Sequence, residues 1–304
     1  MEHKAGYAAI IGLPNAGKST LLNSLIGQKL SIVTHKPQTT RRRITGILSE
    51  NEYQIIFLDT PGILDPEYLL QEKMMEWVRF SLSDADVVIL IIDVNDDRDG
   101  GRLLSHELIK RFLDNPGAPV ILVINKIDLI DQETAVALVN HFNLQNKFSR
   151  VIPVSALTGF NKESLTFAIL DNLPAHPKFY DEDIVSDEYE RFFVAEIIRE
   201  KIFELYSDEI PYSSEVEIEE FKEREGPKDY IRAAVMVERA SQKGIIIGKN
   251  GEAVKKLGQA ARNAIQEFHG KDVFLELFVK VAEKWRSNER LMKNFGYKLP
   301  ESED

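Results

Sequence analysis

The octet Gly12-Leu13-Pro14-Asn15-Ala16-Gly17-Lys18-Ser19, with Thr20 next to it, constrains this chain more than any other stretch. It follows an apolar run, Tyr7–Ile11, and opens a helical pattern, Lys18–Ile26. Strand, tight turn and helix in that order make an anion site: glycines let backbone N–H groups turn inward, and the helix N-terminus adds its positive dipole end. A lysine in the turn neutralises the β and γ oxygens of a nucleoside phosphate, and the hydroxyl after it suits Mg2+. Such a loop sits between a strand and a crossover helix, which points to an α/β sheet.

The first half supplies that sheet. Apolar runs at Arg43–Leu48, Gln54–Leu58, Val87–Asp93, Val120–Ile124 and Arg150–Val154 read as strands, and helical patterns fall at Tyr68–Leu82, Leu103–Leu113, Gln132–Gln145 and Lys162–Leu173. Only Arg43–Leu48 and Gln54–Leu58 are too close for a crossover, so they form an antiparallel hairpin in an otherwise parallel sheet. The fold class is α/β, a mixed sheet with helices on both faces, followed by a smaller α+β domain. The expected division is 1–175 for the first domain, 176–190 for a linker marked by Pro174, Pro177 and an acidic run, and 191–304 for a second domain with a C-terminal helix and tail.

Three further motifs stand at strand ends. Asp59-Thr60-Pro61-Gly62 places a carboxylate for the water shell of Mg2+ and the Gly62 N–H for a γ-phosphate. Asn125-Lys126-Ile127-Asp128 follows the fifth strand. Guanine presents two adjacent donors, and a carboxylate that only accepts hydrogen bonds matches them, whereas adenine offers an acceptor there. Asp128 therefore reads the base, Asn125 and the Lys126 stem support it, and Ser155-Ala156-Leu157 offers a backbone N–H to the guanine oxygen.

Together these motifs resemble the translation-factor-related class of P-loop GTPases, over residues 5–173. The resemblance implies GTP and GDP as ligands with Mg2+ held by Ser19, Thr40 and Asp59, and catalytic parts for Lys18, Thr40 and Gly62. In the Pro37-Gln38-Thr39-Thr40 segment, Thr40 is favoured over Thr39 as the mobile threonine that meets the metal. Where Ras-like enzymes carry a glutamine after the D-x-x-G glycine, this chain has Ile63, so intrinsic hydrolysis is expected to be slow or to use another device. Asn15 resembles the position that in some relatives helps to bind K+. Arg41, Arg42 and Arg43 are candidates for an arginine finger in cis, or solvated residues at the start of an edge strand.

The second half changes character. Net charge is −11, yet Asp181–Asp229 alone holds 18 acidic and 6 basic side chains, while Ile231–Arg286 holds 11 basic and 6 acidic. A basic segment thus lies inside an acidic chain. Alternating and helical patterns there give the order α-β-β-α-β-α, with Gly248-Lys249-Asn250-Gly251 between helices and Lys255, Lys256 and Arg262 on the helix that follows. This resembles a type II KH domain, in which a G-x-x-G loop approaches a nucleic-acid backbone. A G domain joined to a KH domain, with Pro211-Tyr212-Ser213 and Leu275-Glu276-Leu277 also matching, resembles the Era family of bacterial ribosome-assembly GTPases.

That resemblance implies binding near the 3′ end of 16S-type rRNA through Gly248, Lys249, Asn250, Gly251, Lys255 and Lys256, and a role in maturing the small (30S) ribosomal subunit. It also implies a monomer in the cytoplasm with peripheral contact to the inner face of the cell membrane. A nucleotide-loaded scaffold with negligible hydrolysis is the alternative that Ile63 leaves open. With no cysteine the chain has no disulfide, thiolate nucleophile or cysteine-ligated metal. Its longest apolar run, Val87–Ile92, falls far short of the ~20 residues that span a bilayer, and Met1–Gly12 shows no cleavable leader pattern.

Overall fold

The computed structural model describes residues 2–223 and 228–298. Residues 299–304, expected as a tail, and residues 224–227 of the acidic stretch lie outside the described residues. The chain divides into two compact units, residues 1–66 with 73–187, and residues 67–72 with 188–304.

In the first unit the elements run β1 (Lys4–Gly12), α1 (Lys18–Ile26), β2 (Ile44–Ser49), β3 (Tyr53–Asp59), α2 (Leu69–Asp84), β4 (Val87–Asp93), α3 (Gly101–Ser105), α4 (Glu107–Asp114), β5 (Val120–Asn125), α5 (Gln132–Asn143), β6 (Arg150–Pro153) and α6 (Lys162–Asn172). The six strands lie in the order β2-β3-β1-β4-β5-β6, and only β2 and β3 pair antiparallel. Every residue of β4 is buried, as a central parallel strand between two helical layers requires. Val88, Leu90 and Ile92 share one core with Ala9, Ile11, Ile56, Leu58, Leu122 and Ile124 from its neighbours. Because β1, β3, β4, β5 and β6 are mutually parallel, Gly12, Asp59, Asp93, Asn125 and Pro153 all finish at one edge of the sheet, where α/β folds place their ligands.

Two features depart from the sequence reading. The helix expected over Leu103–Leu113 is two helices broken at His106, whose extended backbone and Nδ1, accepting from the Leu108 N–H, cap α4. The segment after α6 is bonded to the sheet as a strap. Pro174 O accepts from Ala5 N, and His176 N donates to His3 O. Gln54 Oε1 accepts from the N–H groups of Phe179 (2.7 Å) and Tyr180 (3.0 Å) while its Nε2 donates to Tyr180 O at 2.9 Å. Farther on, Ile47 N donates to Val185 O at 2.9 Å, and Ser186 Oγ to Thr45 O at 2.6 Å.

The second unit contains α7 (Glu190–Leu205), α8 (Ile210–Ser213), β7 (Glu215–Lys222), β8 (Lys228–Val237), α9 (Ala240–Ile247), α10 (Glu252–His269), β9 (Asp272–Val281) and α11 (Glu289–Asn294). Central β8 pairs antiparallel with β7 and parallel with β9. The alternating residues Ile231, Ala233, Val235 and Val237 of β8 pack with Val273 and Val279 of β9 against Leu257, Ala261 and Ile265 of α10 and Ile198 and Ile202 of α7. Trp285, fully buried, donates its indole N–H to Ser213 O at 2.8 Å and so fixes the chain after β9.

Candidate functional site

The loop between β1 and α1 is shaped for phosphate. Asn15 and Gly17 take positive φ values of 63° and 96°. At Gly17 a side chain is doubly excluded, because a Cβ would also stand 2.2 Å from Asn125 Nδ2. Lys18, 6% exposed, folds its ammonium over the loop and donates to the carbonyls of Gly12 (3.2 Å) and Leu13 (2.9 Å). Burial pushes its pKa down to about 8, against the pull of the Asp59 carboxylate. Carbonyl dipoles compensate a buried ammonium only in part, so the loop lacks the full negative charge that a phosphate would bring.

Beside the lysine, three oxygen groups converge. Ser19 Oγ donates to Asp59 Oδ2 at 2.7 Å and lies 3.0 Å from Thr40 Oγ1. Asp59 is fully buried, and its Oδ1 has no hydrogen-bond partner among the described residues. Burial pushes its carboxyl above the ordinary range, against the Ser19 hydroxyl and the Lys18 ammonium. An unsatisfied buried carboxylate oxygen beside two hydroxyls fits a hard cation that takes oxygen ligands. Among the described residues no group of three His, Cys, Asp or Glu side chains forms a metal cage, so such a cation would complete its shell with phosphate oxygens and water.

The remainder of the Asp59–Gly62 motif is packed against β1 and the loop that follows it. Thr60 is fully buried with Oγ1 donating to Ile10 O at 2.8 Å, so its hydroxyl ties the end of β3 to β1. Pro61 and Gly62 are buried, and the next N–H, from Ile63, donates to Gly12 O at 3.0 Å. That bond sets Gly62 against the phosphate loop. The Ile63 side chain is 1% exposed and belongs to the core. Of the three arginines, Arg43 is committed elsewhere: Nη1 pairs with Asp84 at 2.9 Å, and the guanidinium carbon lies 5.5 Å from the Trp77 ring centroid and 5.0 Å from that of Phe80.

Asn125 joins the loop after β1 to the turn after β6. Its Nδ2 donates to Ala16 O at 2.8 Å in the phosphate loop, and its Oδ1 accepts from Ala156 N at 3.0 Å in the Ser155–Leu157 turn. Lys126 adopts φ 63° and pairs its ammonium with Asp93 at the end of β4. Asp128 stands exposed on a short 3-10 turn, Ile127–Leu129, and Leu157 is 80% exposed, so this rim is open to a flat ring. Asp93 was not singled out in the sequence. Its place at the carboxyl end of a central strand was the available signal. Asn15 also makes an unforeseen contact, donating Nδ2 to His35 O at 3.1 Å.

In the second unit, α9 and α10 meet at Gly248–Gly251. Gly248 has φ 71°, and a Cβ there would lie 2.6 Å from Ala253 Cβ, so the helices approach closely only with glycine at that position. Asn250 and Gly251 continue with φ 52° and 76°. Lys249, Asn250, Lys255, Lys256 and Arg262 are all exposed, while Leu257 and Ala261 of the same helix are buried. The loop thus presents backbone and cations to solvent on one side and apolar residues to the core on the other.

Comparison with known proteins gives two family matches, one in each half of the chain. The family described as 50S ribosome-binding GTPase matches residues 7–126, and the KH domain family matches residues 209–286. GTPase Era of Caldanaerobacter subterraneus subsp. tengcongensis is 43% identical, over 98% of this chain and 99% of that one. The chain belongs to the Era family of GTPases. A crystal structure of Era in complex with MgGDPNP and nucleotides 1506–1542 of 16S ribosomal RNA superposes with a TM-score of 0.91 at 39% identity, covering 98% of this chain and 100% of that one. Aquifex aeolicus Era, as a variant bound to GDP and AlF4−, gives a TM-score of 0.90 at 39% identity, covering 97% and 100%. In this Era-family chain the site residues named from sequence fall into two groups. Gly12–Thr20, Thr40, Asp59, Gly62, Asn125, Lys126, Asp128 and Ser155–Leu157 gather at one sheet edge, whereas Gly248–Gly251, Lys255 and Lys256 lie on the second unit.

Proposed function

We propose that this Era-family GTPase binds GTP and GDP through Gly12–Thr20, Asn125, Lys126, Asp128 and Ser155–Leu157, and hydrolyses GTP to GDP and phosphate. The observation that carries this reading is the convergence of Ser19, Thr40 and the unsatisfied Asp59 carboxylate beside Lys18. Those three residues would hold Mg2+, which neutralises charge on the transferred phosphoryl group when bound. Lys18 would leave its loop carbonyls for the phosphate oxygens, and the Gly62 N–H would donate to the γ-phosphate. The buried Ile63 orients no water, so intrinsic turnover is slow. K+ beside Asn15 belongs to the same reading, and exchange of potassium for sodium in a phosphate-release assay tests it.

The second unit takes single-stranded RNA, the 3′ end of 16S-type rRNA, against Gly248–Gly251, Lys255 and Lys256. Close backbone approach at Gly248 and the exposed cations support this, as does the complex of the related Era with that RNA. The protein would act on the 30S subunit during its maturation, as a cytoplasmic monomer. Peripheral contact with the inner membrane face completes the reading and is tested by flotation with anionic vesicles. Among the described residues no helix is long and apolar enough to cross a membrane. The deciding experiment is multiple-turnover phosphate release with and without 30S subunits. Stimulation by the subunits supports the coupled GTPase, and an absence of turnover in both would leave only a nucleotide-loaded scaffold.

A further inference from the structure

One turn beyond Ser19, α1 carries Asn23, so the two side chains issue from the same helix face. Asn23 grips the chain that returns toward Thr40. Its Oδ1 accepts from the N–H groups of Leu30 and Ser31, both at 2.9 Å, and its Nδ2 donates to Ser31 O at 2.8 Å. The amide thereby satisfies both backbone groups of Ser31 and fixes that residue relative to α1. The Ser31 hydroxyl is left over. Ser31 is 1% exposed, and its Oγ has no hydrogen-bond partner among the described residues.

A buried hydroxyl without a partner is costlier than no hydroxyl at all, so its presence calls for a use. Asn23 holds Ser31 one helical turn from Ser19, whose hydroxyl binds Asp59, so Ser31 and the Asp59 carboxyl border the same face of α1. Asp59 Oδ2 is already engaged by Ser19, and Oδ1 is the other unpartnered buried atom of this site. A donor lacking an acceptor and an acceptor lacking a donor are therefore both buried beside one face of α1, tied to side chains one turn apart.

We infer that Ser31 is a positioning residue for the magnesium site: held by Asn23, its hydroxyl turns to donate to Asp59 Oδ1 when the metal is bound and fixes the plane of the carboxylate while Ser19 engages the other oxygen. The inference rests on the proposed reading of Ser19, Thr40 and Asp59 as the Mg2+ site. It makes the Asn23–Ser31 clamp part of metal retention, because a carboxylate free to rotate holds a metal-bound water less well.

The test is the rate at which a fluorescent GDP analogue leaves the protein, measured with Mg2+ and with EDTA, the readout being the rate in EDTA divided by the rate in Mg2+. Ser31→Ala is expected to lower that ratio by about three- to tenfold, the net worth of one typical intramolecular hydrogen bond. Purely structural loosening would speed release in both conditions and leave the ratio alone. In an Asp59→Asn background, Ser31→Ala should lower it no further. An unchanged ratio in folded Ser31→Ala, or a drop that persists in the Asp59→Asn background, overturns the inference. Should Ser31→Ala not fold, Asn23→Ala decides: a lowered ratio supports the clamp, and an unchanged one overturns it. If Mg2+ does not slow release from the unaltered protein, the reading of the metal site itself fails, and this inference with it.

Discussion

The Lys18 ammonium rests on two carbonyl oxygens, which accept its protons without supplying a full charge. Burial pushes its pKa down to about 8 from the 10.5 of an unperturbed lysine. The depressed value is a stability cost fully present below about pH 8 and relieved as pH rises through 10.5. A bound triphosphate favours the charged form, so above about pH 8 binding takes up a proton. GTP affinity should therefore be flat below that pH and weaken above it, by at most about tenfold per unit. Fluorescence titrations from neutral pH upward check this, and a flat profile through the alkaline range would refute it. Lys18→Ala should abolish GTP binding while the thermal unfolding transition persists. Asp128→Asn should shift preference toward xanthine nucleotides, whose 2-oxo group needs a donor, as competition binding would show. Side-chain chemistry at these positions was legible because each motif residue acts on a ligand. Thr60 was not: its hydroxyl serves Ile10 O, a partner 50 residues away that no local pattern indicates.

At the scale of elements, periodicity gave the strands and the β2–β3 hairpin, because alternation and a short polar connection are local properties. The break at His106 escaped, since a histidine cap looks like any polar residue inside a helical pattern. The G-x-x-G turn was legible only through its neighbours, and the structure adds why its first glycine is needed. Gly248→Ala should destabilise the second unit by about 1–3 kcal/mol through positive φ and the clash with Ala253, seen as a lowered second-unit transition in urea. Changing Lys249 and Asn250 together to Asp should remove most affinity for a labelled 3′-terminal 16S RNA oligonucleotide. For the unaltered protein, log affinity should fall with log salt by about 0.7 per single-strand phosphate neutralised. A folded double variant with full affinity would reject the loop as an RNA site.

For the whole molecule, each candidate site lies on its own core. The double-Asp variant should bind GTP like the parent, which nucleotide titration of the same preparation checks. Charge along the chain revealed the basic segment within an acidic whole. It did not reveal the strap, because Gln54 meets Phe179 and Tyr180 across 125 and 126 residues through backbone groups that every residue carries. The strap decides where this polypeptide can be cut. β2 is a sheet edge, and open edges recruit strands from other molecules. A fragment of residues 1–173 would bare the Ile47 N–H and the Gln54 amide, and it should self-associate. A fragment of residues 1–187 would bring its own edge guard and stay dispersed in light scattering at the same concentration. Proteolytic nicking after α6 would thus do more than sever the chain between the two units, because it also turns a guarded margin into a sticky one.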